Sequence, residues 1–423
     1  MTTHPFLKSI YIRKVRHLES IQIDIDETRM RHLVLTGPNG SGKTSLLLAI
    51  KDYLNGIPNR NLMQLENWRG SIRSWEQNIE HNRNRLAAAD FTDQQKAQWV
   101  GEISQLEIHI RNYRNQLASF EKVEPILSDL PGMVEAYHKG EFLIAFFDSK
   151  RLTRLENVSG VQRLDLPSVS PIDNNALAPK FLQFLVNQEN KMGMSHYRGD
   201  HGNLERLNIW KEGFLQHLRD LFQAPDLALD YDVDRISFTI RIPGREPFGL
   251  DQLSDGFSSA IQIIAELLLR MEAKAPGKYD MPGVVLIDEI ETHLHIELQK
   301  QILPFLTSFF PNLQFIVTSH SPFVLSSLED SVVFDLQSHH RWENLAPLSA
   351  GGIIEEYFES DQYSQASKKM VARFEMLSKR GDRNSQEEAE YQTLVGKLER
   401  VSLDQAPELV AQYRHLRAQE KHG

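Results

Sequence analysis

The chain has no cysteine among its 423 residues. Thiolate zinc sites, disulfide frameworks and thiol nucleophiles are therefore excluded, and the composition fits a reducing compartment. It also lacks any apolar run long enough to cross a bilayer, and the opening Met1-Thr2-Thr3-His4-Pro5 does not have the basic-then-apolar order of a signal peptide. The expectation is a soluble, cytoplasmic protein with no membrane partner. Positive charge is scarce: 47 Lys and Arg stand against 57 Asp and Glu, a formal charge of -10. That balance argues against coating nucleic acid through bulk charge, while leaving room for a local basic patch. The length suffices for two or three domains with a full core, so no metal staple is required.

What is present is organised around Gly37-Pro38-Asn39-Gly40-Ser41-Gly42-Lys43-Thr44, which satisfies the phosphate-loop spacing G-x-x-x-x-G-K-[ST]. It lies between the apolar run His32-Leu33-Val34-Leu35-Thr36 and the helix-like run Ser45-Leu46-Leu47-Leu48-Ala49-Ile50, the strand-to-helix setting such a loop needs. Glycines let successive N–H groups curl around phosphate, Lys43 supplies a point charge for the β- and γ-phosphates, and Thr44 offers a hydroxyl to Mg²⁺. The expected ligands are ATP and Mg²⁺.

Three later stretches carry related chemistry. Val284-Val285-Leu286-Ile287-Asp288-Glu289 is an apolar strand ending in two carboxylates. At the C-terminal edge of a parallel sheet, Asp288 is expected in the Mg²⁺ shell and Glu289 as the base for an attacking water. Gln314-Phe315-Ile316-Val317-Thr318-Ser319-His320 is a second apolar strand with a polar tip, and His320 suits a hydrogen bond to the γ-phosphate. Leu253-Ser254-Asp255-Gly256-Phe257-Ser258-Ser259 precedes a helix from Ala260 to Met271; Ser254 and Gly256 form either a second anion site or an ordinary N-cap. His293 and His295, two residues apart beside Glu291 and Glu297, are poorly spaced for one helical face, so no zinc site is expected.

The rest of the chain gives the organisation. Ile10, Ile12, Ile21, Ile23 and Ile25 alternate with polar residues around a turn near His17-Leu18-Glu19-Ser20, the pattern of a hairpin. From Leu65 the apolar positions Trp68, Ile72, Trp75, Ile79 and Leu86 step by threes and fours past a polar Asn82. A second series runs through Trp99, Ile103, Leu106, Ile110, Tyr113, Leu117 and Phe120 and ends before Pro125. The two stripes predict an antiparallel helical hairpin with arms of about 35–40 Å. Arg69, Arg73, Arg83, Arg85, Arg111 and Arg114 lie on its other faces, where they call for water or a partner. Glu141 to Asp148 reads as a buried strand, Ser168 to Asn175 as a loop, Lys180 to Phe222 as helices with a flexible connection from Met192 to Gly202, and Ile236 to Ile242 as a half-exposed strand. Beyond Ser360, stripes at Tyr363, Met370, Phe374, Leu377, Tyr391, Leu394, Leu398, Leu409, Tyr413 and Leu416 suggest helices, as a docking module or as a plain cap.

Gly37 to Thr44, Leu253 to Gly256, Val284 to Glu289, Glu291 to His295 and His320 stand in the order of Walker A, signature, Walker B, D-loop and switch histidine. The chain thus resembles ABC-type ATPases of the branch holding RecF, the SMC proteins and the OLD-like defence ATPases. The resemblance implies an α/β P-loop head with an inserted coiled-coil hairpin and a C-terminal helical module. The corresponding segments are 1–56 for the Walker A lobe, 57–125 for the hairpin, 126–350 for the rest of the head and 351–423 for the C-terminal module. It implies slow, regulatory ATP hydrolysis in a homodimer or higher homo-oligomer, with Ser254 and Gly256 of one protomer closing on the γ-phosphate held by Lys43 and Thr44 of another. Two departures stand out: the strand Phe142–Phe147 supplies no Q-loop glutamine, and His295 replaces the usual D-loop aspartate. The residues after Leu328 carry no acidic strand set for a Toprim domain. The chain is therefore most similar to the ATPase subunit of anti-phage systems such as Septu or PARIS, which implies a separate HNH or Toprim-like nuclease as effector. A RecF-like DNA-repair ATPase is the alternative, with nucleic acid as partner, resting on the hairpin arginines and on Arg151 and Arg154.

Overall fold

The computed structural model describes residues 4–87, 91–151, 155–167, 171–348, 352–353, 365–380, 382–399 and 413. The chain divides into two compact units, Met1–Ser349 and Ala350–Gly423.

In the first unit, strands β1 (Leu7–Val15) and β2 (Leu18–Asp24) form the expected hairpin. Ile10 faces Ile23 and Ile12 faces Ile21, all four buried. The turn is tighter than the sequence suggests. Arg16 adopts a left-handed φ of 54°, so Leu18 already pairs with Val15. Strand β3 (His32–Thr36) then leads through the phosphate loop into helix α1 (Lys43–Leu54).

The inserted hairpin is α2 (Leu65–Ala87) and α3 (Asp93–Ala118), and residues 88–90 of its expected turn lie outside the described residues. Thr92 and Gln95 start α3 with a reciprocal capping box, which satisfies two otherwise free backbone donors. The arms pack antiparallel through the predicted stripes: Trp75 and Tyr113 lie 5.0 Å apart ring to ring, and Trp68 and Tyr113 6.0 Å. Asn82, the polar break in the stripe, is buried and donates to Glu102 at 3.1 Å. Three of the outer arginines carry ion pairs: Arg69 with Glu66 at 2.6 Å, and, across the arms, Arg83 with Glu107 at 2.8 Å and Arg114 with Glu76.

The chain returns as β4 (Val123–Leu127), an edge strand paired antiparallel with β1 in a three-stranded sheet of order β2-β1-β4. The sequence reading has no strand here because Pro125 looks like a breaker, but an edge position spares it the missing N–H. After α4 (Leu130–Lys139) come β5 (Leu143–Phe147), α5 (Phe181–Arg198) and α6 (His201–Phe222). The expected flexible connection from Met192 is instead helical through Arg198. Only Gly199, at φ 68°, and Asp200, which caps α6, interrupt the pair, while Asn203 bonds back to Ser195 at 2.6 Å.

A small antiparallel sheet, β6 (Ala228–Asp232), β7 (Ser237–Arg241) and β8 (Phe248–Gly249), precedes α7 (Asp255–Lys274). Then follow β9 (Gly283–Ile287), α8 (Ile296–Phe309), β10 (Leu313–Thr318), β11 (Ser331–Asp335) and β12 (Arg341–Glu343). The central sheet has the order β12-β11-β3-β10-β9-β5 and is parallel except for β12. Every residue of β3, β5, β9, β10 and β11 is buried, as the unbroken apolar runs of a doubly covered parallel sheet require. The head is thus an α/β P-loop fold. Its strands β3, β10, β9 and β5 end at one edge, where open parallel sheets take their ligands.

Gln314 joins the two larger sheets. Fully buried in β10, it accepts from Leu7 N at 2.7 Å and donates to Leu7 O and Arg31 O at 2.9 and 2.8 Å. In the second unit, helices Gln365–Ser378 and Ser385–Glu399 form their own core with Phe374, Leu377, Tyr391, Leu394, Leu398 and Tyr413. Tyr363, Leu409 and Leu416 lie outside the described residues.

Gln314→Leu keeps the volume but strands three buried backbone groups. We expect a loss of about 3 kcal/mol for the first unit, at roughly 1 kcal/mol or more for each unsatisfied group, read as the shift of its urea midpoint.

Candidate nucleotide-binding site

The phosphate loop has the backbone an anion cradle needs. Gly37, Gly40 and Gly42 take φ values of 131°, 88° and 98°, open to glycine and costly for other residues. At Gly42 a β-carbon would also come within 2.9 Å of Leu18 Cδ1. The Ser41 hydroxyl is buried and has no hydrogen-bond partner among the described residues. Lys43 begins α1 and turns its Nζ back onto the loop carbonyls of Gly37 and Pro38, at 2.6 and 3.1 Å. Burial lowers its pKa, against the opposing pull of Glu289, Glu291, Asp288 and Asp335.

Strand register brings the next groups in. In β9 and β10, Ile287 pairs with Val317, which sets Asp288 beside Thr318 one step further on. Asp288 Oδ1 accepts from Thr318 Oγ1 at 2.6 Å and from Thr44 Oγ1 at 3.2 Å. Burial raises the Asp288 pKa, and the two hydroxyl bonds pull the other way. The same Thr318 hydroxyl accepts Glu289 N–H at 2.7 Å. Glu289 itself sits at φ 44°, a left-handed conformation that costs a non-glycine residue roughly 1–2 kcal/mol. It is held there from both sides, by Thr318 at its N–H and by Arg151 Nη2 at its carbonyl, 2.7 Å away.

His320 follows β10 and is fixed by Glu291, whose Oε1 accepts from its backbone N–H at 2.7 Å and from its Nδ1 at 3.0 Å. The hydrogen bond to Glu291 raises the His320 pKa. With Nδ1 committed, Nε2 is the free ring atom, and the raised pKa favours a proton on it. Burial alone raises the pKa of Glu291, but its bonds to His320 outweigh that and leave it lowered.

The structure therefore gathers Lys43, Thr44, Asp288, Glu289 and His320 at one sheet edge. Ser254 and Gly256 are not part of that cluster. They line a cavity of about 760 Å³ with Phe222, Arg245, His293 and His295. Ser254 is the N-cap residue of α7, yet its exposed side chain makes no capping bond, so the ordinary N-cap role is not the one it fills. A β-carbon on Gly256 would meet the His293 carbonyl at 2.8 Å, which explains the glycine by close backbone approach.

Three residues escaped the sequence reading. Thr318 stands without a role in the Gln314–His320 stretch, and only the β9–β10 register brings it to Asp288. Glu291 enters the sequence analysis only as part of the D-loop and as a neighbour of the rejected His293–His295 zinc site, not as the partner of His320. Arg151, considered as a nucleic-acid contact, is 1% exposed and bonds to Ser259, Asp148, Asp288 and Glu289, so it cannot reach a phosphate backbone. Arg154 lies outside the described residues. The donor set fits the ligands: a partnerless hydroxyl and open glycines for phosphate, and a hydroxyl beside a carboxylate oxygen for a hard divalent cation.

Residues 135–326 match a family described as "AAA domain, putative AbiEii toxin, Type IV TA system". The span contains α7, Asp288, Glu289 and His320 and begins beyond the phosphate loop. The chain is similar to the retron Ec83 probable ATPase of Escherichia coli, 33% identical over 120 residues, which is 28% of this chain and 22% of that protein. It is similar to Septu protein PtuA of Bacillus mycoides, 38% identical over 84 residues, 20% of this chain and 12% of that protein. The retron Vc95 probable ATPase of Vibrio cholerae is 31% identical over 143 residues, 30% of this chain and 28% of that protein. The chain thus spans less than a third of the length of each of these relatives. Among solved structures, the SMC head domain from Thermotoga maritima aligns over 77% of this chain and 94% of its own at 14% identity, with a TM-score of 0.32.

Because the folded-state pKa of His320 lies above its ordinary 6.5 and that of Glu291 below its ordinary 4.5, their pair stabilises the fold fully between those two ordinary values, and ceases to as pH rises through the raised His320 value or falls through the lowered Glu291 value. Glu291→Gln removes the cause, so the His320 resonance in a histidine NMR titration, identified by its absence in His320→Gln, must move to lower pH. An unchanged midpoint contradicts the pairing.

Proposed function

We propose that the chain binds MgATP and hydrolyses it slowly, as an oligomeric subunit of an anti-phage defence complex in which it holds and regulates a separate effector. The observation that carries the reading is the convergence on Asp288 Oδ1 of hydroxyls from Thr44, beside the phosphate-loop lysine, and from Thr318, beside the switch histidine. The similarity to two retron ATPases and to Septu PtuA supports the defence setting.

In this reading the loop from Gly37 to Thr44, with Pro38, Asn39, Gly40, Ser41 and Gly42, wraps the phosphates. Lys43 exchanges its contacts with the Gly37 and Pro38 carbonyls for phosphate oxygens. Thr44 and Asp288 hold Mg²⁺, which supplies charge neutralisation on the phosphoryl oxygens when bound. Glu289 orients the attacking water and takes its proton as the oxygen–phosphorus bond forms and ADP leaves. His320, held by Glu291, donates from Nε2 to the γ-phosphate. Ser254 and Gly256 lie outside this cluster in the chain, and a second copy brings them to it. The effector is a nuclease of HNH or Toprim-like chemistry, docked on surfaces that the ATP site leaves free. Direct DNA binding finds less support, since Arg151 is buried and Arg83 and Arg114 are paired.

Lys43→Ala raises the Kd for MgATP about tenfold or more, the loss of one charge-assisted contact. Glu289→Gln binds MgATP within about twofold of wild type but loses at least about a hundredfold in kcat, the range for removal of a general base. Calorimetry and a phosphate-release assay separate the two; normal turnover in both contradicts the assignment. Co-purification tests the effector: failure of the adjacent gene's product to associate at any nucleotide state removes the scaffolding part alone.

A further inference from the structure

Helix α7 carries an unusual polar stripe for a helix packed on an apolar sheet: the buried Ser259, Glu266 and Arg270 and the half-buried Lys274, at steps of seven, four and four. These positions share one helical face. Each is bound to the strand β5 or to the chain just before or after it. Lys274 donates to Phe142 O at 3.0 Å, and Arg270 to Ile144 O at 3.2 Å and to Pro171 O and Asn174 O at 3.1 and 2.7 Å. Glu266 accepts from Leu177 N and Ala178 N at 2.8 and 2.9 Å and pairs with Arg270 at 2.9 Å. At the other end Ser259 accepts Arg151 Nε at 3.1 Å. The helix thus runs antiparallel to β5.

Arg151 is where this seam meets the carboxylates. Its guanidinium gives one bond to Ser259 on α7, one to Asp148 O after β5 at 2.8 Å, and one each to Asp288 O and Glu289 O after β9 at 2.6 and 2.7 Å. A planar fork with five donors makes such a four-way junction; an ammonium on a flexible stem does not. Ser259 lies five residues from Ser254 and three from Gly256 on the same helix. A displacement of the start of α7 is therefore delivered through one side chain to the two peptide units that aim Asp288 and Glu289.

We propose that Arg151 is a positioning residue that couples occupation of the Ser254–Gly256 half-site to the alignment of Glu289. The proposal rests on the ATPase reading above. Its consequence is that breaking the junction lowers turnover without weakening the hold of the phosphate loop on nucleotide.

The test compares wild type, Ser259→Ala, Arg151→Lys and Lys274→Met in the full chain, using steady-state MgATP hydrolysis, equilibrium binding of a fluorescent ATP analogue and thermal midpoints. Ser259→Ala cuts only the α7 end of the junction and leaves the three carbonyl bonds of Arg151 in place. We expect its kcat to fall roughly tenfold with nucleotide Kd within about twofold. Arg151→Lys, which keeps the charge and loses the fork, lowers kcat at least as far as Ser259→Ala, and wild-type kcat in it overturns the coupling. Lys274→Met, at the far end of the seam, lowers the thermal midpoint and leaves kcat as it is. Wild-type turnover together with unchanged kcat in Ser259→Ala, or an equal loss in Lys274→Met at matched stability, overturns the coupling and leaves the ATPase reading standing. Absence of any wild-type turnover overturns both.

Discussion

A single carboxylate oxygen, Asp288 Oδ1, receives hydroxyl bonds from Thr44 and Thr318, and through it three distant stretches of chain meet. The meeting depends on register. β9 lies beside β10 and β10 beside β3, each parallel to the next. A slip of one residue in any of them would turn the tip side chain to the opposite face of the sheet. Close packing on both faces resists that slip, and the buried Gln314 pins β10 through its bonds to Leu7 and Arg31. The core therefore does more than stabilise the fold; it sets the distances in the site.

The cluster is electrostatically unfinished within the protein. Asp288, Glu289, Glu291 and Asp335 all act on the single ammonium of Lys43, and burial works against the charge of both Asp288 and Lys43. A cation and a polyphosphate bound as proposed would relieve both terms together: the cation would answer the carboxylates and the phosphates would answer Lys43. The left-handed Glu289 belongs to the same economy of constraint. A strained peptide is kept only because its N–H and carbonyl are each held by a buried partner, Thr318 on one side and Arg151 on the other.

Much of this was legible before any coordinates. The phosphate loop, the two acid-tipped and histidine-tipped strands and the hairpin stripes all announce themselves through period and spacing, because local backbone chemistry dictates those residues. What sequence could not give were relationships between elements. Arg151 looks like any loop arginine until β5 is placed at the sheet edge beside β9; only then does its burial become necessary. Glu291 reads as one acidic residue in a turn until β10 brings His320 to it. Pro125 hides β4 because a proline is tolerated at an edge that only the finished sheet defines. Ser254 illustrates the opposite case. Its sequence context admitted a plain N-cap, and the free hydroxyl facing a cavity beside His293 and His295 shows a side chain not used for that purpose.

The central claim is that one chain carries two halves of a nucleotide site that join only between copies. The most direct measurement is the solution mass of Glu289→Gln by light scattering, with and without saturating MgATP, alongside Glu289→Gln combined with Ser254→Arg. The account predicts that MgATP increases the assembly by pairing heads in the first protein and fails to do so in the second. A mass that is the same in both, with nucleotide demonstrably bound, contradicts it.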